Sequence, residues 1–230
     1  MLKVSFAAVA AVLGLVACSP VDAPVNPTAT PTAIAKPTVS PTLNSSEKDD
    51  AELGNYILLQ MKIVKAQMSP LRKQILAKQI VNASNDIFTT QEHKKQFVTL
   101  IAIESKFDIK AKSSAGAVGL TQVVGKYASE FAAKCGIENL ETSDLEVPEI
   151  NLLVGGCRFR TLLDIFNGQT SVALVAYNSG TASNQIKQLQ ELRGIDNKET
   201  SGYINKFMFL KEKTDIQTKD AKDAKEKSEE

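Results

Sequence analysis

A carboxylate at the end of an apolar run is the first candidate for chemistry in this chain. Glu104 directly follows Val98-Thr-Leu-Ile-Ala-Ile103, which sets it at the edge of a core rather than on a solvated face. Burial disfavours the charged form of a carboxyl group, so a glutamate placed this way can keep its proton near neutral pH and serve as a general acid. The plainer reading is a solvated helix-terminal glutamate paired with Lys106. Asp108 lies one turn further on, between Phe107 and Ile109 in a lysine-rich loop, and reads as a cap or a surface charge. No metal centre or cofactor is expected, because His93 is the single histidine and there is no Cys-x-x-Cys pair. His93 stands beside Lys94 and Lys95 at the start of a helix and is expected to face solvent.

The elements that position Glu104 are helical. In residues 51–68 the apolar side chains Leu53, Ile57, Met61, Val64 and Met68 recur at three- and four-residue spacing, the pattern of an amphipathic helix. A second such segment spans residues 71–81 and ends in the poor helix formers of residues 82–85. Thr89 followed by Glu92 resembles a capping box and opens a helix that carries Phe97, Leu100, Ile101 and Glu104. The last turns of that helix are almost wholly apolar, so it should be central. Residues 111–119, rich in Ser, Ala and Gly, read as a tight loop, and a helix over residues 126–134 follows.

Pro148 suits the first turn of another helix running to residue 166, with Gly168 just past its end. Gly155-Gly156 inside it costs about 1 kcal/mol per glycine relative to alanine, which points to close approach by a neighbouring backbone or helix. Short helices over residues 171–177, 182–192 and 199–210 complete the set. Alternating strand patterns are nearly absent, so the fold class is mainly α, with at most a trivial hairpin.

An ordered series of motifs runs through these elements: Ile101-Ala-Ile-Glu104-Ser105-Lys-Phe107, Ser113 to Gly116, Gly119-Leu-Thr-Gln122, Leu174-Val-Ala-Tyr177-Asn178-Ser-Gly180 and Glu199-Thr-Ser-Gly-Tyr203. The series resembles the catalytic domain of the soluble lytic transglycosylases, lysozyme-like enzymes that cleave the glycan of bacterial peptidoglycan. It covers residues 91–209, about half the chain. The resemblance implies a lysozyme-like domain of short helices with Glu104 as catalytic acid and Ser105 as the serine that follows it. It further implies Gln122, Tyr177 and Asn178 in substrate-binding motifs and Tyr203 near the acid. Thr121 stands where the family usually has methionine, which would remove a flexible apolar wall from a sugar subsite, and Gly125 stands where many relatives have proline.

The residue types suit a chain of N-acetylated sugars, whose recognition needs amide and hydroxyl partners. Gln122 and Asn178 can donate and accept, and Ser105 and Tyr203 can orient the acid or a sugar hydroxyl. The structural alternatives are that Gln122 satisfies a loop backbone and that Tyr177 belongs to the core. Glycosidases that work with two carboxylates need a second acid as nucleophile or base, yet Glu199 is the only other carboxylate in the matched motifs. The family's mechanism needs one. Its glutamate protonates the bond between N-acetylmuramic acid and N-acetylglucosamine, then takes a proton from the muramoyl 6-hydroxyl as that oxygen closes onto C1, leaving a 1,6-anhydro end. The expectation is therefore a non-hydrolytic lytic transglycosylase, with a weakly active or inactive peptidoglycan-binding lipoprotein or a hydrolytic muramidase as alternatives.

The ends of the chain have different compositions. Lys3, the apolar run Val4 to Val16 and small Ala17 before Cys18 have the layout of a secretory signal, and Leu15-Val16-Ala17-Cys18 resembles the lipobox of bacterial lipoproteins. Residues 1–17 are read as the signal peptide and Cys18 as the lipidated residue; the alternative is an ordinary cleaved signal with an incidental cysteine. The resemblance implies export and a lipid anchor, at the periplasmic face of the outer membrane if the cell has two membranes, since Ser19 follows the cysteine. Six of the eight prolines fall between Pro20 and Pro41, so residues 18–50 read as a disordered, partly polyproline linker with a reach of up to ~100 Å. The domain then spans residues 51–210. Residues 211–230, thirteen of them charged, read as a solvated tail or a frayed extension of the last helix.

Cys135 and Cys157 remain as a pair. An exported protein lies where disulfides persist, so they are either bonded, closing a loop of about 22 residues worth about 2 to 4 kcal/mol, or two buried thiols. The net charge of +1 does not suit a polyanion binder, and nucleic acid is not an expected partner; the partners are peptidoglycan glycan strands and, through the anchor, a membrane, with the chain monomeric. The neutral total conceals polarity. Residues 62–112 hold ten basic and four acidic side chains, and residues 130–149 hold six acidic and one basic. These are either solvated helix faces or, on the basic side, a surface that attracts the carboxylates of peptidoglycan stem peptides.

Overall fold

The computed structural model describes residues 45–190 and 197–229; the signal peptide, Cys18 and most of the proline-rich linker lie outside the described residues. Helix α1 covers Ser45–Ile63, α2 Pro70–Ile87 and α3 Gln91–Ser105. A minimal antiparallel hairpin pairs β1, Ala117–Val118, with β2, Val123–Val124. Then come α4 at Gly125–Ala133, a 3₁₀ turn at Thr142–Glu146, α5 at Pro148–Ile165, α6 at Thr170–Ser179, α7 at Asn184–Gln190 and α8 at Lys198–Glu229. Among the described residues no helix is long and apolar enough to cross a membrane.

The predicted elements are present with shifted ends. Helix α1 begins at Ser45, so residues 45–50 are helical rather than linker. Helix α2 runs through residues 82–85 to Ile87 because Ala83, Ser84 and Ile87 are buried there, and packing overrides weak propensity. The start of α3 lies one residue later than the proposed box: Thr90, not Thr89, is the N-cap, its Oγ1 accepting the His93 N–H at 3.2 Å. His93 is half-buried, its ring edge-on to Phe88, rather than fully solvated.

The main core collects buried faces of α1, α2, α3, α5, α6 and α8, with Tyr56, Phe97, Phe107, Phe159 and Phe207 fully enclosed. A smaller core of Val123, Ala128, Ala132, Leu145 and Val154 lies beneath α4, the hairpin and the 3₁₀ turn. Helix α5 joins the two, packing on α2, α4, α6 and the 3₁₀ turn. Cys135 and Cys157 are disulfide-bonded, with Cα atoms 6.2 Å apart, tying the segment after α4 to α5.

Of the two readings of residues 211–229, the extension of the last helix is the one seen, although residues 219–228 are exposed. Residues 211–229 continue α8 as one helix of 32 residues, and Thr214 is fully buried with its hydroxyl donating to the Leu210 carbonyl at 2.7 Å. Lys211 bridges Glu92 at 3.1 Å and Asp215 at 2.8 Å, and Lys222 reaches Glu52 at 2.8 Å. The charges thus strap α8 to α3 and α1.

Candidate active site

Helix α3 ends on the candidate acid, and α8 begins beside it. Asn197 caps α8, its Oδ1 accepting the N–H groups of Glu199 and Thr200 at 2.9 and 3.0 Å. That fixed start places Tyr203 so that its hydroxyl donates to Glu104 Oε1 at 2.6 Å. Part of the Glu104 side chain reaches solvent, but the carboxyl group is largely withdrawn from it. Burial pushes the carboxyl from 4.5 up to about 7, against the opposing pull of the Tyr203 hydrogen bond and the Arg158 guanidinium. The Tyr203 phenol is itself held well above its ordinary value by burial and by the adjacent Glu104 charge, so it stays a donor.

The loop between the two strands forms the neighbouring wall and is braced from beneath by α5 and α6. Thr121 donates its N–H to Asn151 Oδ1 at 2.9 Å, and its hydroxyl lies 2.8 Å from that oxygen and 3.1 Å from the Asn151 carbonyl. The Asn151 amide in turn donates to the carbonyls of Val118 and Leu145 at 2.8 and 3.0 Å. Tyr177 closes the brace, its hydroxyl donating to the Thr121 carbonyl at 2.7 Å. Gly119 turns the loop at φ +75°, where a Cβ would come 2.4 Å from the Asn151 amide nitrogen.

Thr121 therefore lies inside the wall. It is fully buried, and it fits because Gly155 has no side chain: a Cβ there would lie 2.2 Å from Thr121 Oγ1. The expected close approach at Gly155-Gly156 is thus made by side chains, Thr121 on one glycine and Ile87 on the other. Gly125 is explained similarly, since a Cβ at that position would come 2.5 Å from Thr142 Cγ2.

The residues expected to meet substrate divide by exposure. Asn178 is exposed at the end of α6. Gln122, at φ +49°, donates its amide to the carbonyls of Gly119 at 2.9 Å and Ala111 at 3.2 Å, so that donor holds the loop. Ser105 is buried and donates to the Ile101 carbonyl at 3.2 Å, not to the acid. Tyr177 is buried with its hydroxyl engaged, a strut of the wall. Asp108 is exposed and accepts the Lys110 N–H at 2.9 Å, a local turn cap. Glu199 is exposed in the first turn of α8. Among the described residues no group of three or more His, Cys, Asp or Glu side chains is placed to hold a metal ion.

Two residues of this site escaped sequence reasoning. Asn151 is the hub beneath the loop, and its signal was an asparagine on an otherwise apolar helix face. Arg158 lies with its guanidinium 4.1 Å from the Tyr177 ring centroid and donates to the Tyr177 carbonyl. Arg158 and Arg160 are the only charges between Glu149 and Asp164, a placement that could have flagged them.

Residues 85–199 match the family model described as "Transglycosylase SLT domain". Among solved structures, the chain is similar to the lytic transglycosylase Slt of Pseudomonas aeruginosa, determined as an inactive mutant, with a TM-score of 0.50 and 22% identity. The match covers 60% of this chain and 24% of that one, so the chain spans about a quarter of the length of that relative. The likeness establishes a mainly α, lysozyme-like fold.

Proposed function

The chain belongs to the transglycosylase SLT domain family, and from that premise we propose that it is a lytic transglycosylase that cleaves the bond between N-acetylmuramic acid and N-acetylglucosamine in peptidoglycan, with Glu104 as acid and then base. One observation carries the reading: a carboxyl group withdrawn from water, raised to about 7, with one oxygen fixed by Tyr203 at 2.6 Å. Near neutral pH such a group holds a proton for a substantial part of the time, as a general acid requires. Because Oε1 accepts from Tyr203, Oε2 is the oxygen free to carry that proton toward the glycosidic oxygen.

As the C1–O bond breaks, the proton passes to the departing O4 of N-acetylglucosamine and Glu104 becomes a carboxylate. Tyr203 and Arg158 both favour that charged form, so the elements that restrain the pKa also stabilise the group after transfer. The carboxylate then takes the proton of the muramoyl 6-hydroxyl while that oxygen bonds to C1. Glu104 is restored, and no water is consumed. Asn178, exposed beside the wall, supplies an amide to the N-acetyl or hydroxyl groups, and the Gln122 amide oxygen is the part of that side chain left for the same use.

The reading extends to export: residues 1–17 direct secretion, and Cys18 is lipidated and anchors the enzyme to a membrane. Digestion of purified peptidoglycan by wild type and Glu104→Gln, followed by mass spectrometry, tests the chemistry. Anhydro-muramoyl ends are expected from the wild type, with a loss of at least about 100-fold in Glu104→Gln. Reducing ends would instead make the enzyme a hydrolase.

A further inference from the structure

A concavity that takes no part in the chemistry above has Ser105, the residue after the acid, in its lining. It is a cleft of about 590 Å³ between the turn that follows α1, the first turns of α2 and the loop after α3, within the size range of ligand-binding pockets. Its floor is apolar, built on the fully buried Phe107 and on Ile75, which is 52% exposed. Four exposed cations line it: Lys65, Arg72, Lys106 and Lys110. Among the described residues none of the four takes part in an ion pair. Asp108 is the one carboxylate in the lining, and it accepts the Lys110 backbone N–H.

The backbone fixes the positions of two of these cations, Lys65 and Lys106. Lys106 and Phe107 are consecutive left-handed residues, at φ +54° and +65°, and Lys65 stands at +55°. Such conformations are uncommon for residues with a Cβ and persist where the surroundings enforce them. Here the buried Phe107 ring anchors the turn, and the Lys106 N–H closes α3 on the Ala102 carbonyl at 3.1 Å.

We propose that this cleft receives the acidic peptide branch carried by the glycan that the enzyme cleaves. The inference rests on the reading of the site as a peptidoglycan transglycosylase. The branch is borne by the muramoyl sugar, the sugar whose C1 reacts, so it leaves the glycan close to Glu104. Ser105, adjacent to Glu104 in α3, forms part of the cleft lining. A branch of this kind presents several carboxylates and small alkyl side chains, which match a cationic rim over an apolar floor. A bilayer of anionic lipid offers the same charge but is flat, whereas this site is concave.

The test uses the full chain as wild type and as the double variant Arg72→Gln/Lys110→Gln. Each is assayed on peptidoglycan and on the same glycan after enzymatic removal of its peptides, and each is titrated with an isolated soluble stem peptide and with vesicles of phosphatidylglycerol. The wild type should prefer the peptide-bearing substrate by roughly tenfold in kcat/KM, as expected of a few partly screened ion pairs, with the preference falling as salt rises. The double variant should lose that preference and keep its rate on stripped glycan. It should also bind the isolated peptide more weakly, a readout that does not depend on turnover. Equal rates of the wild type on both substrates, or an equal loss on both in the variant, would overturn the proposal while leaving the transglycosylase reading intact. If the wild type cleaves neither substrate, that reading fails, and peptide binding alone then decides the cleft. Binding to vesicles but not to peptide, dependent on Arg72 and Lys110, would assign the cleft to a membrane surface instead.

Discussion

A glutamate kept protonated by burial should reduce the stability of the fold once the pH passes its ordinary range, and Glu104→Gln reads that cost directly. Below pH 4.5 the folded and unfolded chains both hold the proton, and the carboxyl contributes no difference. Between pH 4.5 and about 7 the unfolded chain releases its proton while the folded chain retains it, so stability falls as pH rises. Above about 7 both states are ionised and the loss stays constant. A displacement from 4.5 to about 7 corresponds to about 3 kcal/mol at roughly 1.4 kcal/mol per pH unit.

Glutamine has no proton to lose and retains an oxygen for the Tyr203 hydroxyl. The stability of Glu104→Gln minus that of wild type should therefore rise by about 3 kcal/mol between pH 4.5 and pH 8 and level off beyond. For a domain of this size that equals roughly 6 to 12 °C in Tm. Denaturant unfolding of both proteins at pH 4.5, 6, 7 and 8.5 measures it, and using the difference cancels every other titrating group. A difference that stays constant with pH would mean that Glu104 titrates like a solvated carboxylate, and the general-acid argument would fall with it.

Tyr203→Phe removes the hydrogen bond that holds the Glu104 pKa down, so the alkaline limb of kcat/KM against pH should move to higher pH and kcat should fall roughly 10- to 100-fold, the worth of a hydrogen bond to a charged group; an unmoved limb would refute the contact. The two adjacent glycines of α5 should respond differently to alanine. At Gly155 the new Cβ meets the β-branched, hydrogen-bonded Thr121 at 2.2 to 2.6 Å, whereas at Gly156 the nearest atom is the movable end of Ile87 at 2.4 Å. Gly155→Ala should cost about 1 to 3 kcal/mol, while Gly156→Ala should stay within about 1 kcal/mol of wild type, because the gain in helix propensity offsets the crowding; equal costs in chemical denaturation would contradict the packing described here.

What was legible in the sequence was whatever depends on local period. The spacing of Leu53, Ile57 and Met61, or of Phe97, Leu100 and Ile101, follows from one helix burying one face, and helices stand there, although Val64 and Met68, which continued the first pattern, lie beyond the end of α1 at Ile63. Ends were less legible because neighbours compete: Thr89 and Thr90 can both cap, and the cap falls on Thr90. Residues 211–229 could be read as a tail or as an extension of the last helix because their charges outnumber their buried positions. Phe207, Leu210 and Thr214, at successive turns, hold α8 against the core, and the ion pairs from Lys211 and Lys222 satisfy their partners on α3 and α1. The pairing of Glu104 with Tyr203 spans 99 positions and has no local signature; only the family resemblance implies it.

The site separates residues that act from residues that hold. Of the side chains marked by motif, Tyr203 touches the acid and Asn178 faces solvent, whereas Ser105, Tyr177 and the amide of Gln122 are tied to backbone carbonyls. A general acid needs its carboxyl kept from water without being enclosed, and a flexible glycine-rich loop cannot do that alone. The loop here is made rigid through its carbonyls and Asn151, and the geometry admits a threonine at position 121 because Gly155 yields the space that a side chain would fill. Thr121 is thus held inside the wall, bonded to Asn151 and seated against Gly155, and takes no part in the hydrogen bond between the acid and its tyrosine.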